Sequence, residues 1–153
     1  MEKPRGFLFQ EEEGKMTVKV PQNVLDDVYG STAADWHQHG NGNGWVYKIA
    51  KVEESAYLHP MLVVFGNARV LGYAWTQSPP YIQGSRHALT LCSHTQIAIG
   101  CHVHTIADWK KTYKAVGKAE GYTPEQIAEY GEYIALFAKA AKRIAEKSLP
   151  PLK

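Results

Sequence analysis

A six-residue repeat between Gly44 and Thr76 constrains the fold more than any other feature of the chain. Small or apolar residues recur at every sixth position, and a second column of mostly apolar residues lies two positions further on. The first column is Gly44, Ala50, Ala56, Leu62, Ala68 and Ala74, and the second is Val46, Val52, Leu58, Val64, Val70 and Thr76. The alternation inside each triplet is that of a strand, and the polar residues and turn formers that follow it suit a corner. Six triplets in phase argue against a β-meander and predict a short β-helix, in which each hexad forms one face of a coil.

The repeat divides the chain into three predicted segments. These are residues 1–43 (a hairpin with an acidic turn, a short helix and a Gly/Asn loop), residues 44–78 (the β-helix) and residues 79–153 (a β-hairpin and two helices). The repeat stops at Pro79 and Pro80, because two prolines cannot extend a strand ladder. So short a solenoid cannot cover its own ends, and we expect the flanking segments, or other subunits, to act as caps.

The C-terminal segment carries separate strand and helix signals. Residues 88–92 and 96–101 predict the two strands of a β-hairpin. Thr105 and Thr123 occupy the N-cap positions of two predicted helices. The second helix has an apolar stripe of Ile127, Tyr130, Ile134, Phe137, Ala141 and Ile144. We therefore expect a β-hairpin followed by an αα-hairpin, with a frayed tail after Ser148.

Composition bounds the partners and the compartment. The 153 residues suit a single domain, and a net charge of +2 is too small to argue for nucleic acid or a membrane surface. Residues 1–10 lack the apolar core of a signal peptide, and no apolar run reaches the roughly 20 residues of a membrane span. Without an export signal, the two cysteines are expected to be reduced thiols. We therefore expect a cytoplasmic protein with no membrane partner.

Cysteines and histidines near the C-terminal strands are candidate metal ligands. Cys92, His94, Cys101 and His104 lie on or beside the two predicted strands, whose pairing would bring the cysteines together. Their spacing is not that of a known zinc module, and a buried cysteine often behaves as a small apolar residue. We predict core cysteines and no metal or other cofactor. A structural zinc site or a redox role at these residues is the alternative.

A polar group shortly after the repeat is the leading candidate for a ligand site. Gly84, Ser85, Arg86 and His87 lie between the two prolines and the first predicted strand of the hairpin. The planar guanidinium of Arg86 suits a phosphate or carboxylate, and the Ser85 hydroxyl and Gly84 amide would complete an anion site. The alternative is that Arg86 pairs with a carboxylate of a C-terminal helix and fixes the packing.

Further candidates offer aromatic faces or polar loop side chains. The aromatic ones are Tyr81, Trp45, Trp36 and Trp75, and the polar ones, in the loop before the repeat, are His39, Asn41, His37 and Asn43. In a glycine-rich loop such polar residues bind a ligand or metal, or they stabilise a turn. The sequence contains no nucleophile elbow, P-loop, dinucleotide-binding fingerprint or His-Glu-x-x-His motif, so no catalytic residue is predicted.

Residues 39–46 (HGNGNGWV) and 64–70 (VFGNARV) resemble phage and prophage proteins of the left-handed β-helix, hexapeptide-repeat type. The C-terminal region that such proteins often carry is similar to residues 81–87, 99–101 and 104–109, so the resemblance covers roughly residues 40–140. The chain departs from the family in having few repeats and in lacking Gly-Asn in most hexads. The resemblance implies a left-handed coil. Hexapeptide-repeat acyltransferases share this coil and form trimers with a catalytic histidine between subunits, but a shared fold does not transfer a function.

These observations predict a non-catalytic phage or prophage accessory protein that assembles as a homo-oligomer, either a trimer or a dimer. It would bind a host protein or a small anionic or nucleotide ligand in the host cytoplasm, as in a counter-defence role. The alternative is a hexapeptide-type acyltransferase or metal-dependent enzyme that uses His37, His39, His87 or His104. A structural or assembly protein whose open coil ends template stacking is the third hypothesis.

Overall fold

The computed structural model describes residues 8–12 and 15–148 of the chain, and the side chains of residues 19–147. The strands are β1 (Leu8–Glu12), β2 (Lys15–Lys19), β3 (Trp36–Gln38), β4 (Trp45–Tyr47), β5 (Lys51–Val52), β6 (Tyr57–Leu58), β7 (Val63–Val64), β8 (Arg69–Val70), β9 (Ala74–Trp75), β10 (Tyr81–Gln83), β11 (Ala88–Leu91), β12 (Gln96–Ile99) and β13 (His102–Thr105). The helices are α1 (Gln22–Asp26), α2 (Ile106–Ala119) and α3 (Pro124–Ser148), and a 3₁₀ turn spans Ala33–Asp35. The predicted acidic turn includes residues 13–14, which, like the tail after Ser148, lie outside the described residues. Among the described helices, none has the length and apolar character that crossing a membrane requires.

The hexads do not build the predicted left-handed β-helix, and the fold class predicted from the repeat is wrong. Over the described residues the chain forms five small sheets, which are β1–β2, β3–β4–β7, β5–β8, β6–β9 and β10–β11–β12–β13. The repeat contributes parallel pairs in which each strand meets the strand about three hexads later. Trp45 lies opposite Val63, and Lys51 lies opposite Arg69.

The six triplets form three parallel pairs and therefore one layer, and neighbouring segments occupy both sides of that layer. On one side, β3 pairs antiparallel with β4, and the amide of Gly44 donates to the carbonyl of Leu58 at 3.1 Å. On the other side, the amide of Leu71, directly after β8, donates to the carbonyl of Cys92 at 2.8 Å. The six-residue spacing therefore encodes a single layer of parallel pairs, which antiparallel strands and a loop then close.

The final triplet pairs one residue out of register with the six-residue repeat. Tyr57 lies opposite Ala74, and Leu58 lies opposite Trp75, one residue short of three hexads. Trp75 is consequently fully buried, whereas Ala74 and Thr76, which the repeat places in the buried columns, are exposed. The bulky indole fills space at the end of the layer that an alanine would leave empty.

A four-stranded antiparallel sheet replaces the predicted two-stranded hairpin. β11 and β12 form the hairpin, and β10 and β13 add one strand on either side of it. The hairpin buries one apolar face, made of Leu89, Leu91, Ile97 and Ile99. Because side chains alternate along a strand, Thr90 and Ala98, which lie opposite each other in the ladder, belong to the other face.

Both long helices begin at the predicted capping residues. Thr105 Oγ1 accepts a hydrogen bond of 3.1 Å from the amide three residues on, at the start of α2. Before α3, Gln126 N donates to Thr123 Oγ1 at 3.2 Å, and Thr123 N donates to Gln126 Oε1 at 3.0 Å. The two helices approach so closely that a Cβ on Gly117 would lie 2.9 Å from Ile127 Cγ1. The predicted αα-hairpin is thus confirmed, and a glycine permits its close contact.

One hydrophobic core joins the repeat, the four-stranded sheet and the two long helices. Its members include Val46, Leu58, Val64, Val70, Trp75, Leu89, Ile97, Trp109, Tyr130, Ile134 and Phe137. A second, smaller core of Val20, Val24, Trp36 and Trp45 joins α1 to β3 and β4. The candidate site lies where the repeat meets the four-stranded sheet.

Candidate anion-binding groove

A groove of about 550 Å³ lies between the β5–β8 pair and the four-stranded sheet. It is lined by Ile49, Lys51, Asn67, Arg69, Gln83, Arg86, His87, Ala88, Thr90, Ala98, Gly100 and Cys101. Three of these side chains are cationic and none is acidic. The volume falls within the range of roughly 300–1,000 Å³ that is typical of small-molecule sites. We call this feature the basic groove.

One side of the basic groove is the strand wall, formed by Lys51 and Arg69. These residues lie opposite each other in β5 and β8, on strands about 4.8 Å apart. The next residues, Val52 and Val70, face the core, so alternation turns both cations outward into the groove. Arg69 Nη1 donates to the carbonyl of Gly100 at 3.4 Å, so the strand wall contacts the turn that follows β12.

The other side is the loop wall, formed by Arg86 and His87 between β10 and β11. Arg86 Nη1 donates to the carbonyl of Gly121 at 3.0 Å, and its guanidinium lies 4.8 Å from the ring centre of Tyr122. Within the described residues Arg86 makes no ion pair with a carboxylate. Because a guanidinium has five N–H donors, most of those of Arg86 remain available to a ligand.

The carboxylate expected beside Arg86 is bound by its neighbour instead. The amide of Ser85 donates to Glu129 Oε2 at 2.9 Å, and the Ser85 hydroxyl donates to Glu129 Oε1. Tyr133 also donates to this carboxylate, at 2.8 Å. These bonds, above all the one from the Ser85 hydroxyl, lower the pKa of Glu129. Ser85 thus fastens the loop wall to α3 and is not a free donor in the groove.

A buried tyrosine on α3 fixes the backbone of the loop wall. The Tyr130 hydroxyl accepts hydrogen bonds from the amides of Arg86 (3.0 Å) and His87 (2.6 Å) and donates to the carbonyl of His87 (2.7 Å). Gly84 passes so close that a Cβ there would overlap this hydroxyl. One side chain therefore fixes the backbone at both Arg86 and His87.

His87 is oriented by a second tyrosine. Its Nδ1 lies 2.5 Å from the hydroxyl of Tyr122, and the two rings stack. Burial, with a further contribution from Tyr130, raises the pKa of Tyr122 to about 12, so this phenol is protonated at neutral pH. When the phenol donates to Nδ1, the imidazole proton lies on Nε2 and His87 offers an N–H donor from the loop wall; when Nδ1–H donates to the phenol, Nε2 is an acceptor.

A smaller cavity of about 40 Å³ lies behind the groove and shares His87, Gly100 and Cys101 with it. Glu120 lies at its edge and bonds His102 Nε2 at 2.9 Å. That hydrogen bond lowers the pKa of the Glu120 carboxyl group. The charges of His87 and Arg86 lower this pKa further, so the Glu120 carboxylate lies near the loop wall although it is not part of the groove lining.

Several predicted ligand residues have structural contacts elsewhere. Tyr81 accepts a hydrogen bond from the amide of Asn67 at 3.1 Å and packs against Phe65. Trp45 is 4 % exposed and belongs to the smaller core. Ser85 is engaged by Glu129 as described above. None of these three predicted residues lines the basic groove.

The polar loop before the repeat is likewise structural. His39 is buried, and its Nε2 lies 2.8 Å from the carbonyl of Ala56. The carbonyl of Asn41 accepts a hydrogen bond of 3.0 Å from the amide of Leu58. A Cβ on Gly44 would lie 2.6 Å from Leu58 Cβ, so the close approach of this loop requires glycine. The loop closes one side of the parallel layer.

The structure places the candidate metal ligands at opposite ends of β12. Cys92 lies beside Gln96 near the hairpin turn and is buried as predicted, whereas Cys101 lies in the turn after Ile99 and is exposed, so the prediction of a core cysteine is wrong there. Burial raises the pKa of the Cys92 thiol to about 11. His94 stacks on Tyr73, and His104 packs edge-on against a tryptophan. Across the residues that the structure describes, no three His, Cys, Asp or Glu side chains are grouped to hold a metal.

The strand wall is the part of the site that the sequence analysis missed. Lys51 and Arg69 both occupy the middle, outward position of a triplet, and they stand three hexads apart. That spacing predicts that Lys51 and Arg69 lie side by side only when the parallel partner of each strand is known. The loop wall, in contrast, contains Arg86 and His87, which were both predicted as ligand residues.

No protein-family model, curated protein or solved structure matches this chain. The function is therefore argued from the geometry of the site.

Proposed function

We propose that this protein is a non-catalytic binding protein that holds a small anionic ligand in the basic groove. The observation that supports it is the convergence of Lys51, Arg69 and Arg86 on one concave surface whose lining contains no carboxylate. Like charges gathered in a cleft repel one another and focus a positive potential, which an anion relieves. Phosphate and carboxylate groups match the planar donors of the arginines.

The rigidity of the groove also favours binding. Arg86 is held by Gly121 and Tyr122, and its backbone is held by Tyr130. Arg69 is held by the carbonyl of Gly100. A ligand that meets side chains already in place loses less conformational entropy on binding.

Binding without chemistry is favoured over the enzyme hypothesis by the positions of the predicted catalytic histidines. Of His37, His39, His87 and His104, only His87 lines the groove. His39 is buried against a carbonyl oxygen, and His104 packs on Trp109. An acyltransferase or metal-dependent enzyme at this site would therefore have to depend on His87.

We further propose that the protein is a homo-oligomer. Ile49, Tyr57, Met61 and Phe65 are exposed apolar side chains in the repeat, and such exposure favours self-association. Native mass spectrometry of the purified chain is expected to show a closed oligomer, and a monomer at every protein concentration would contradict this. The phage setting, and the sequestration of a host anion as a counter-defence, are supported only by the sequence resemblance.

Calorimetric titration with pyrophosphate tests the binding function. The unmodified chain is expected to bind pyrophosphate saturably, and Arg86→Gln to weaken binding by about tenfold or more, because a charged hydrogen bond is lost. Lys51→Gln is a second variant, since this exposed side chain has no ion pair among the described residues. Arg143→Gln, an exposed cation of α3 outside the groove lining, is the matched control. Absence of saturable binding, or equal losses in all three variants, would refute the proposal.

A further inference from the structure

We infer that the ligand of the basic groove carries at least two phosphate groups, one held by the strand wall and the other by the loop wall. This inference rests on the proposed anion-binding function and narrows it to a chemical class. Linear dinucleotides, nucleoside diphosphates and short inorganic polyphosphates share that chemistry.

The strand wall alone is suited to one phosphate group. Lys51 supplies a compact ammonium charge, and Arg69 supplies a planar set of N–H donors, from adjacent strands about 4.8 Å apart. Among the residues that the structure describes, the Arg69 guanidinium donates one hydrogen bond, to the carbonyl of Gly100. Two cations at this spacing can contact the oxygens of a single phosphate.

The loop wall supplies a second and separate set of donors. Arg86 is oriented by Gly121 and Tyr122, and His87, whose Nδ1 bonds the Tyr122 hydroxyl, is a donor in the tautomer that carries the proton on Nε2. Gln83, the remaining polar residue on this side, is already bonded to Gly84 and Tyr81. Arg86 and His87 are therefore the donors that a ligand would meet here.

The floor of the groove consists of small residues, which are Ala88, Thr90, Ala98 and Gly100. Thr90 lies opposite Ala98 in the ladder, and the amide of Gly100 donates to the carbonyl of Ala88 at 3.2 Å. Short side chains at these positions occupy little of the groove, and Arg69 and His87 reach the floor from the two walls at Gly100. The groove volume of about 550 Å³ greatly exceeds the roughly 30 Å³ that one water molecule occupies in the liquid. A single phosphate would leave most of this space unfilled.

Charge balance leads to the same class of ligand. The lining contains three permanent cations. A phosphate monoester carries about −1.5 to −2 at neutral pH, which is less than the charge of the lining. Two linked phosphates balance the groove, and after one group has bound, the other binds at a high effective concentration.

The test compares the affinity of phosphate with that of tripolyphosphate by calorimetry on the full chain. Tripolyphosphate is expected to bind at least about tenfold more tightly, because it engages both walls. Arg69→Gln and Arg86→Gln should each weaken tripolyphosphate binding by about tenfold or more. Phosphate, which occupies one wall at a time, should be weakened strongly by only one of these two substitutions.

Three controls separate this inference from its alternatives. Lys51→Gln tests the strand wall without removing the Arg69–Gly100 bond, in case Arg69→Gln fails to fold. Arg143→Gln reports any effect of net charge alone, and should leave the ratio of the two affinities unchanged. Titration with ADP and with pyrophosphate distinguishes a nucleotide from free phosphates, since only a nucleotide site binds ADP more tightly.

The outcomes are distinct from those of the proposed function. If phosphate and tripolyphosphate bind with equal affinity, or if both anions depend on the same single wall, the inference of two subsites is overturned and anion binding stands. If neither these anions nor pyrophosphate binds, the proposed function itself fails.

Discussion

Lys51 and Arg69 in the strand wall are placed by strand register, whereas Arg86 and His87 in the loop wall are placed by hydrogen bonds to a buried tyrosine. The strand wall inherits its geometry from a pair of parallel strands with backbone bonds on either side of the cations, such as that from Lys51 N to the carbonyl of Ala68 (2.9 Å). The backbone of the loop wall makes three hydrogen bonds with one hydroxyl, that of Tyr130, and Glu129 and Tyr122 hold its side chains and its neighbour Ser85. The strand wall is thus positioned by a ladder of backbone bonds, and the loop wall by a few side chains of the two long helices and the turn between them.

Of the substitutions that test this difference between the two walls, Tyr130→Phe is expected to have the largest effect. It removes one hydroxyl but three hydrogen bonds, and it leaves the amides of Arg86 and His87 without their partner. We expect the free energy of unfolding to fall by about 2–3 kcal/mol, and pyrophosphate affinity to fall as well because the loop wall loses its placement. Urea unfolding and calorimetric titration measure the two effects.

Tyr133→Phe is the matched control for that substitution. Tyr133 lies on the same helix and makes one hydrogen bond, to the Glu129 carboxylate, at 2.8 Å. Its loss should cost about 1 kcal/mol or less and leave pyrophosphate binding nearly unchanged. If Tyr130→Phe affected binding no more than Tyr133→Phe, the loop wall would not depend on the buried hydroxyl.

Val70→Ala tests whether the strand wall keeps its affinity for the ligand when the protein loses stability. Val70 adjoins Arg69 in β8 and is 1 % exposed. Removing two buried carbons should lower the free energy of unfolding by about 2 kcal/mol. Pyrophosphate affinity of the folded protein should stay the same, because the backbone bonds of β5 and β8 still fix the register. Leu136→Ala, at a side chain of α3 that is 53 % exposed, is the control with little expected loss of stability. A marked loss of affinity in Val70→Ala would show that register alone does not place Lys51 and Arg69.

The same difference explains what the sequence revealed about the site. Arg86 and His87 stand out locally, since they follow a glycine in a loop directly before a strand, and local chemistry identifies such residues. Lys51 and Arg69 are ordinary exposed cations until the pairing of β5 with β8 is known. A partner more than a dozen residues away is a property of topology and cannot be read from either residue.

The fold shows the same limit. The helix starts at Thr105 and Thr123 depend on neighbouring residues and were predicted correctly. The six hexads form one layer of three parallel pairs, but the segments that cover this layer, β3 and the four-stranded sheet, lie outside the repeat and could not be read from it. Tyr130 was predicted only as part of an apolar stripe, because nothing in a helical period indicates that its hydroxyl reaches a loop more than forty residues earlier.

The pH dependence of stability is expected to give the smallest difference between the two walls. It arises because the charged carboxylate of Glu129 holds the loop wall against α3. The hydrogen bond from the Ser85 hydroxyl is the main cause that holds the pKa of Glu129 below its ordinary value of 4.5. The unfolded chain therefore takes up a proton at higher pH than the folded chain, so this stabilisation is present above about pH 4.5 and is lost as the pH falls through the lower, folded pKa.

Glu129→Gln should accordingly be less stable than the unmodified chain by about 1 kcal/mol at neutral pH, a small value because the carboxylate is partly exposed. The difference should shrink towards zero as the pH falls below 4.5. Urea unfolding of both proteins across this range measures it, with Glu132→Gln, an exposed position on the same helix, expected to match the unmodified chain at neutral pH. Beside the strand wall, the Glu53 carboxylate accepts a hydrogen bond of 3.0 Å from the amide of Gly72, but the backbone bonds between β5 and β8 do not depend on its charge, so acid should weaken the placement of Arg86 before that of Lys51. A difference that kept its full size in acid would mean that the neutral side chain binds Ser85 as well as the carboxylate does, and that the charge of Glu129 does not hold the loop wall.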